Sequence, residues 1–224
     1  YTKPKILRAL IRMCREAGAS EVNCLTWLTE EHWGSTGLAA AAREEGARLR
    51  FVPNEEAYFR KVPVPGGKIL DHVMLMKELQ NNDVLIDVPI TKDHAGNRFT
   101  GTMKNLMGLN CRAHNRLFHK PDWKTNPSSI QYFDQCIVDL NKTLKPDLCV
   151  VDATEFITTN GPFGPGKILR PQKVVAGVDR VALDAYCSSL WGLKPEDIAM
   201  IRLAAEQGLG EMDLEKVRIR ETSA

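Results

Sequence analysis

The stretch VLIDVPITKDHAGNRFTGTMKNLMGL, Val84 to Leu109, changes character after its first seven residues. Val84–Ile90 is a short, largely apolar run of the length and kind that forms a buried strand. From Thr91 onward no hydrophobic period explains the sequence as core: Lys92, Asp93, His94, Asn97, Lys104 and Asn105 surround a Thr-Gly-Thr turn, Thr100 to Thr102. A buried strand that empties into such a loop suits an open α/β sheet, in which ligands bind beyond the carboxyl ends of the strands.

Working outward, short apolar runs alternate with stretches of helical spacing, which predicts an α/β fold with a largely parallel or mixed sheet flanked by helices. Residues 3–19 predict a helix ending at a glycine, 21–28 a strand, 35–47 a helix capped by Ser35 or Thr36, and 48–52 a second strand. Residues 54–71 predict a Pro/Gly-rich hairpin excursion, because Pro63 and Pro65 forbid a central strand and Pro65-Gly66-Gly67 is a turn. A short helix over 72–80 and the strand over 83–90 follow. After the polar loop come a helix over 130–144 and strands over 147–153 and 173–179. Helices over 180–191 and 194–208 precede a closing strand over 216–221. No repeat, low-complexity tract or boundary signal divides the chain, so residues 1–224 are expected to form one domain.

Composition narrows the function classes. The 224 residues, 43% hydrophobic and 26% charged, are those of an ordinary globular protein, long enough to bury a core without disulfides or metal. The 30 basic and 28 acidic side chains leave a formal charge of +2, and no lysine or arginine block exceeds short runs such as Arg112–Lys120. A nucleic-acid-binding face is therefore not expected. No run approaches the roughly 18 apolar residues of a membrane span. The six cysteines contain no C-x-x-C pair, so no zinc or iron–sulfur motif is present; Cys24, Cys136, Cys149 and Cys187 sit in apolar patterns and read as buried thiols. The sequence opens at Tyr1 without a methionine, which suggests that an upstream segment has been removed, trimmed or left out. Oligomeric state leaves no signal.

Three expected strands lead into polar residues: one into Lys92, Asp93 and His94, one into Asp152 and Thr154, and one into Asp179. If they are neighbours, their ends converge on one crevice. In the first loop Thr102 is suited to cap a short helix, Gly101 to let backbone approach a ligand, and free N–H groups at the helix start, beside Lys104, to hold phosphate or carboxylate. Neither G-x-x-x-x-G-K-[ST] nor G-x-G-x-x-G occurs, so a nucleotide fold has little support. His94 suits acid–base work or metal ligation. Asp152 follows four apolar residues and would be costly to bury unpaired, so structural pairing stands beside catalysis. Asp179 reads first as a helix cap, Asp184 as a surface carboxylate unless it points back at the crevice. The loop Thr158–Gly166 reads equally as plain surface or as a close backbone approach.

These residues predict an enzyme that binds an anionic small molecule or cofactor. Lys104, the Thr100–Thr102 backbone and Asn105 would hold the anion, Lys92 would stabilise charge, and His94 with Asp152 would move a proton or hold a metal. A non-catalytic protein that captures a metal or anionic ligand uses the same side chains. In a third reading the lysines pair with Asp152 and Asp179 and only hold the strand ends together.

Taken in order, VLIDVPITKDHAGNRFTGTMKNLMGL, His119, DQCIVDLNKTLKPDLCVVDA, NGPFGPG, VVAGVDRVALDAYCSSLWGL and AAEQGLGEMD resemble the domain of unknown function 362 family of bacteria and archaea, over nearly the whole chain. The family's Lys-x-His, Thr-Gly and Lys-Asn pattern falls on Lys92, His94, Thr100, Gly101, Lys104 and Asn105. The resemblance also implies roles for His119, Asp152, Asn160, Gly161, Pro162, Asp179 and Asp184. With His119 added, His94 and Asp152 become a candidate set for a divalent metal ion, the identity of any cofactor staying open. Some relatives carry ferredoxin-like cysteine motifs and others a twin-arginine export signal, which implies redox chemistry and an exported bacterial protein; this chain has no such cysteine motif, so an attached cluster is not expected. Relatives carry an asparagine- and proline-containing strand before the first helix, which implies a truncated edge here.

Overall fold

The computed structural model describes residues 1–223. Helix α1 (Pro4–Glu16) opens on a proline, whose fixed φ and missing N–H suit the first turn. Strand β1 (Asn23–Thr26) follows, then the short helices α2 (Glu30–Ser35) and α3 (Leu38–Glu44) and strand β2 (Arg48–Phe51). β1 and β2 pair in parallel, Asn23 beside Arg48 and Thr26 beside Phe51. Ile11, Cys24, Ala42 and Ala47 form a small buried cluster beneath them.

Strand β3 (Phe59–Pro63) pairs antiparallel with β4 (His72–Met76) in a separate two-stranded sheet. The residues expected as a helix over 72–80 therefore begin as a strand, and only Lys77–Asn81 turn, as a 3-10 segment. Burial alternates from His72 to Leu75, with Val73 and Leu75 facing the core, a period-two demand that outweighs the helix propensity of Met74, Leu75 and Met76. The connection between the two strands is fixed at Lys68–Leu70, whose backbone N–H groups donate to the buried Asp139 carboxylate at 2.7–3.0 Å.

The sheet that positions the site contains β5 (Ile86–Asp87), β6 (Leu148–Ala153) and β9 (Lys173–Gly177), in the order β5-β6-β9. β5 runs parallel to β6, and a bridge between Ile90 and Asp152 prolongs the pairing beyond the two residues of regular strand. β9 runs antiparallel to β6, with Cys149 opposite Gly177 and Ala153 opposite Lys173. That register corrects the expected convergence of three strand ends. Asp152 and the loop after β5 share one end of the sheet, while Asp179, beyond β9, lies at the other.

Between β5 and β6 the chain forms α4 (Thr102–Asn105), α5 (Arg112–Phe118) and α6 (Pro127–Asn141). The small pair β7 (Phe156–Ile157) and β8 (Ile168–Leu169) precedes β9, and α7 (Arg180–Ser189) and α8 (Ala199–Glu206) follow it. α7 is capped by Asp179, whose Oδ1 accepts from the N–H groups of Val181 and Ala182. Phe99, Met103, Phe118, Phe133, Ile137 and Val151 fill the principal core between the sheet and these helices. Residues 216–221, expected as a closing strand, pair with no strand; Glu221 instead reaches Lys173 Nζ and Tyr186 Oη at 2.7 and 2.8 Å.

Candidate ligand site

A cleft of about 1170 Å³ lies between α1 and β1 on one side and β5, α4 and α5 on the other. Its polar end, at the carboxyl end of β5, gathers Lys92, His94, Thr100, Lys104, Asn105 and His119 from the expected set. Asp152, Gly101, Thr102, Asn160 and Gly161 do not line it.

Lys92 is held by backbone pairing with Thr100, each N–H donating to the other's carbonyl at 2.9–3.1 Å. This small antiparallel bridge turns the loop after β5 back on itself and presents the lysine to the cleft. Lys104 projects from α4 with its Nζ 4.1 Å from the centre of the Phe133 ring, a cation–π contact. Among the described residues neither lysine makes an ion pair. The carboxylate that acts on Lys104 through space is Asp134, which accepts a hydrogen bond from Asn97 Nδ2. Burial, helped by Lys92, pulls the Lys104 pKa down to about 7, and burial lowers that of Lys92 as well. Two desolvated ammonium groups facing one space without an ion-pair partner are costly, and Lys104 relieves part of that cost by releasing its proton near neutrality.

His94 and His119 stand beside them. His94 Nδ1 lies 2.7 Å from the Ala95 carbonyl and His119 Nδ1 2.9 Å from the Asn115 carbonyl. A carbonyl only accepts, so each Nδ1 carries the proton and each Nε2 keeps a lone pair. Burial first, then the nearby Lys104, drives the His94 pKa down to about 3 and lowers that of His119, so both rings are neutral at pH 7. Trp123 and Phe133 flank them, with His119 4.1 Å from Phe133 and 4.9 Å from Trp123, ring centre to ring centre.

The remaining expected residues make their contacts elsewhere in the chain. Thr102 N–H and Met103 N–H, the groups expected to face an anion at the start of α4, donate to the Asp184 carboxylate at 2.6 and 3.1 Å, and Thr102 Oγ1 donates to it at 2.9 Å. Asp184 is fully buried rather than on the surface, and it occupies the place expected for the ligand's charge. Gly101 allows this approach, since a Cβ there would fall 2.2 Å from Asp184 Oδ1. Asp152, also fully buried, accepts from Thr154 N and Oγ1 through one oxygen and from Lys3 N–H through the other. Asn160 has left-handed backbone and donates to the Pro165 carbonyl, while Gly161 N–H donates to Asp93 Oδ2 at 2.7 Å, pinning the Thr158–Gly166 loop to the loop after β5. His94, His119 and Asp152 do not come together as a metal set: among the described residues no group of three or more histidine, cysteine or acidic side chains is gathered around a common point.

Sequence reasoning missed Asp87, Arg112 and Arg116, which also line the cleft. Asp87 is hidden inside an apolar run, and its buried side chain stands off the sheet toward Asn105 of α4. Its Oδ1 accepts from Asn105 Nδ2 at 2.7 Å, its Oδ2 is buried without a partner, and burial raises its pKa to about 8. Thr100 Oγ1 is likewise buried and unpartnered. Arg112, over the Trp27 ring, and Arg116 extend the positive lining along α5. All six cysteines are free thiols, five of them buried, and no helix among the described residues is long and apolar enough to cross a membrane.

A family model described as "Domain of unknown function (DUF362)" matches residues 1–189. Over 218 residues the chain is 25% identical to the thylakoid-associated protein sll1697 of Synechocystis sp., covering 93% of this chain and 62% of that protein. The chain thus spans less than two thirds of that relative's length.

Proposed function

The chain belongs to the DUF362 family, and on that footing we propose that it is an enzyme that binds an anionic small molecule or cofactor at the carboxyl end of β5. The observation that carries this reading is the pair Lys92 and Lys104, both turned to the cleft and neither ion-paired among the described residues. An anion placed between them restores charge balance, and Thr100 Oγ1 and Asn105 lie on the same wall to hydrogen-bond it. The support for catalysis is the company the lysines keep: Lys104 exchanges its proton near neutrality, as acid–base work requires, and the neutral His94 beside it turns a lone pair on Nε2 to the site.

One observation favours simple capture instead. His94 is oriented by a backbone carbonyl, and Asp152, the carboxylate expected to assist it, is saturated by Thr154 and Lys3. Titration calorimetry with inorganic phosphate and with citrate at pH 6.5 tests the binding claim. Lys92→Met and Lys104→Met are each expected to weaken the better probe at least tenfold, about 1.4 kcal/mol. Unchanged affinity in both variants would refute the site. His94→Gln separates the two readings, since it should leave anion affinity near wild type while removing turnover of any substrate found; elemental analysis of the same samples reads whether a divalent metal accompanies the anion.

A further inference from the structure

Helix α5 brings two further cations to the cleft. Arg112, Asn115, Arg116 and His119 all line it, and their spacing of i, i+3, i+4 and i+7 is that of one helix face. Side-chain bonds fix the helix in place. The buried Asn115 donates from Nδ2 to the Met107 carbonyl at 2.7 Å and accepts from Asn110 Nδ2 at 2.8 Å, while Arg112 N–H donates to Asn54 Oδ1 at 3.0 Å.

The helix runs from the carboxyl end of β1 to that of β5. At its start the Arg112 guanidinium lies 5.7 Å from the ring centre of Trp27, the residue that directly follows β1. At its end the centre of the His119 ring and Lys104 Nζ each lie 4.1 Å from the centre of the Phe133 ring, so the helix finishes at the lysine pair. Two turns of helix, about 10 Å, separate Arg112 from His119.

Charge along this path has one sign. Among the described residues neither Arg112 nor Arg116 makes an ion pair. The acids that line the cleft among these residues are Glu21 and Asp87. Glu21 lies ahead of β1, at the end of that strand away from Trp27, and pairs with Arg48 at 2.5 Å; Asp87 accepts from Asn105. Trp27 adds a donor, since its Nε1 is buried with no partner among the described residues and an indole N–H only donates. The arginine end therefore lacks an acceptor, as the lysine end does. Like charges one turn apart on a helix also repel, a cost that an anion between Arg112 and Arg116 removes.

We propose that the ligand is an elongated dianion: one carboxylate or phosphate lies between Lys92 and Lys104, and a second, about 10 Å away, is held by Arg112 and Arg116. This rests on the reading of the lysine pair as an anion site. Each guanidinium presents a fork of donors that matches a carboxylate or phosphate. Both arginines are exposed, so they capture and orient the outer end of the ligand while the more buried lysines take the inner one.

Titration calorimetry at fixed ionic strength tests this with sebacate, a linear dicarboxylate long enough to reach both pairs, and with its monomethyl ester, which keeps the chain and loses one charge. Sebacate is expected to bind at least tenfold more tightly than the ester, and the double variant Arg112→Gln/Arg116→Gln to abolish that difference. Sebacate that binds no better than its ester, or an advantage that survives both replacements, would overturn the second anion site. Failure of the lysine reading shows separately, as a phosphate affinity that Lys92→Met and Lys104→Met leave unchanged.

Discussion

Replacing Asp184 with alanine separates a structural carboxylate from a ligand's place at the start of α4. The wild-type side chain accepts three hydrogen bonds, from Thr102 N, Thr102 Oγ1 and Met103 N, in a fully buried setting. Asp184→Ala leaves two interior N–H groups without an acceptor, at about 1–3 kcal/mol each. Burial pushes the Asp184 pKa up to about 7, so below neutrality the carboxyl is largely uncharged and its bonds are of the weaker, neutral kind. The expected loss at pH 6 is therefore about 2–4 kcal/mol, a large share of the roughly 5–15 kcal/mol that holds a domain together. Asp184→Asn, which keeps one carbonyl oxygen, should lose about half as much. Urea unfolding followed by tryptophan fluorescence reads the difference. If Asp184→Ala unfolds within about 0.5 kcal/mol of wild type and binds phosphate more tightly, the α4 amides belong to a ligand and the structural assignment is wrong.

Other expectations follow from the same geometry. Gly101→Ala drives a Cβ to 2.2 Å from Asp184 Oδ1 and 2.7 Å from the Phe99 ring, and thermal unfolding should show a loss of about 1–3 kcal/mol or more; an unchanged Tm would contradict the packing around α4. Asp87 has a folded-state pKa of about 8 against an ordinary 3.8, so the folded protein holds this proton more tightly than the unfolded chain does. Its contribution is thus present below the unfolded value and is lost as pH rises from about 4 to about 8. Asp87→Asn should flatten that slope, so its stability relative to wild type should climb from pH 5 to pH 8; parallel curves would show that Asp87 ionises normally.

Much of the fold could be read before the structure. The apolar runs at 147–153 and 173–179 and the helical spacing of 130–144 and 180–191 fall on β6, β9, α6 and α7 to within a few residues, because burial there sets the pattern directly. Strand direction could not be read this way: nothing local tells β9 to run antiparallel, and that one fact moves Asp179 away from Asp152. The misreading of residues 72–80 has a similar source, since His72–Met76 takes its strand form from pairing with residues 59–63. Within the site, Lys92, His94, Lys104 and Asn105 stand out as polar residues that core packing would not explain, His119 enters through the family resemblance alone, and the cleft gathers all five. Asp184 reads as a surface carboxylate although Val181, Cys187 and Ser188, its neighbours at helical spacing, are all buried, which marks its face of α7 as the inner one. Asp87 escapes notice because a single acid in an apolar run reads as part of the strand.

On the proposed reading Lys104 is desolvated and takes an anion. A direct measurement is the pKa of its ammonium group, followed by NMR of isotopically labelled lysine side chains with and without phosphate or citrate, and assigned with Lys104→Met. The free protein should titrate near 7, well below the ordinary 10.5, and the bound anion should raise that value by a unit or more, since it favours the charged form. A Lys104 that titrates near 10.5 and ignores every added anion would contradict the account.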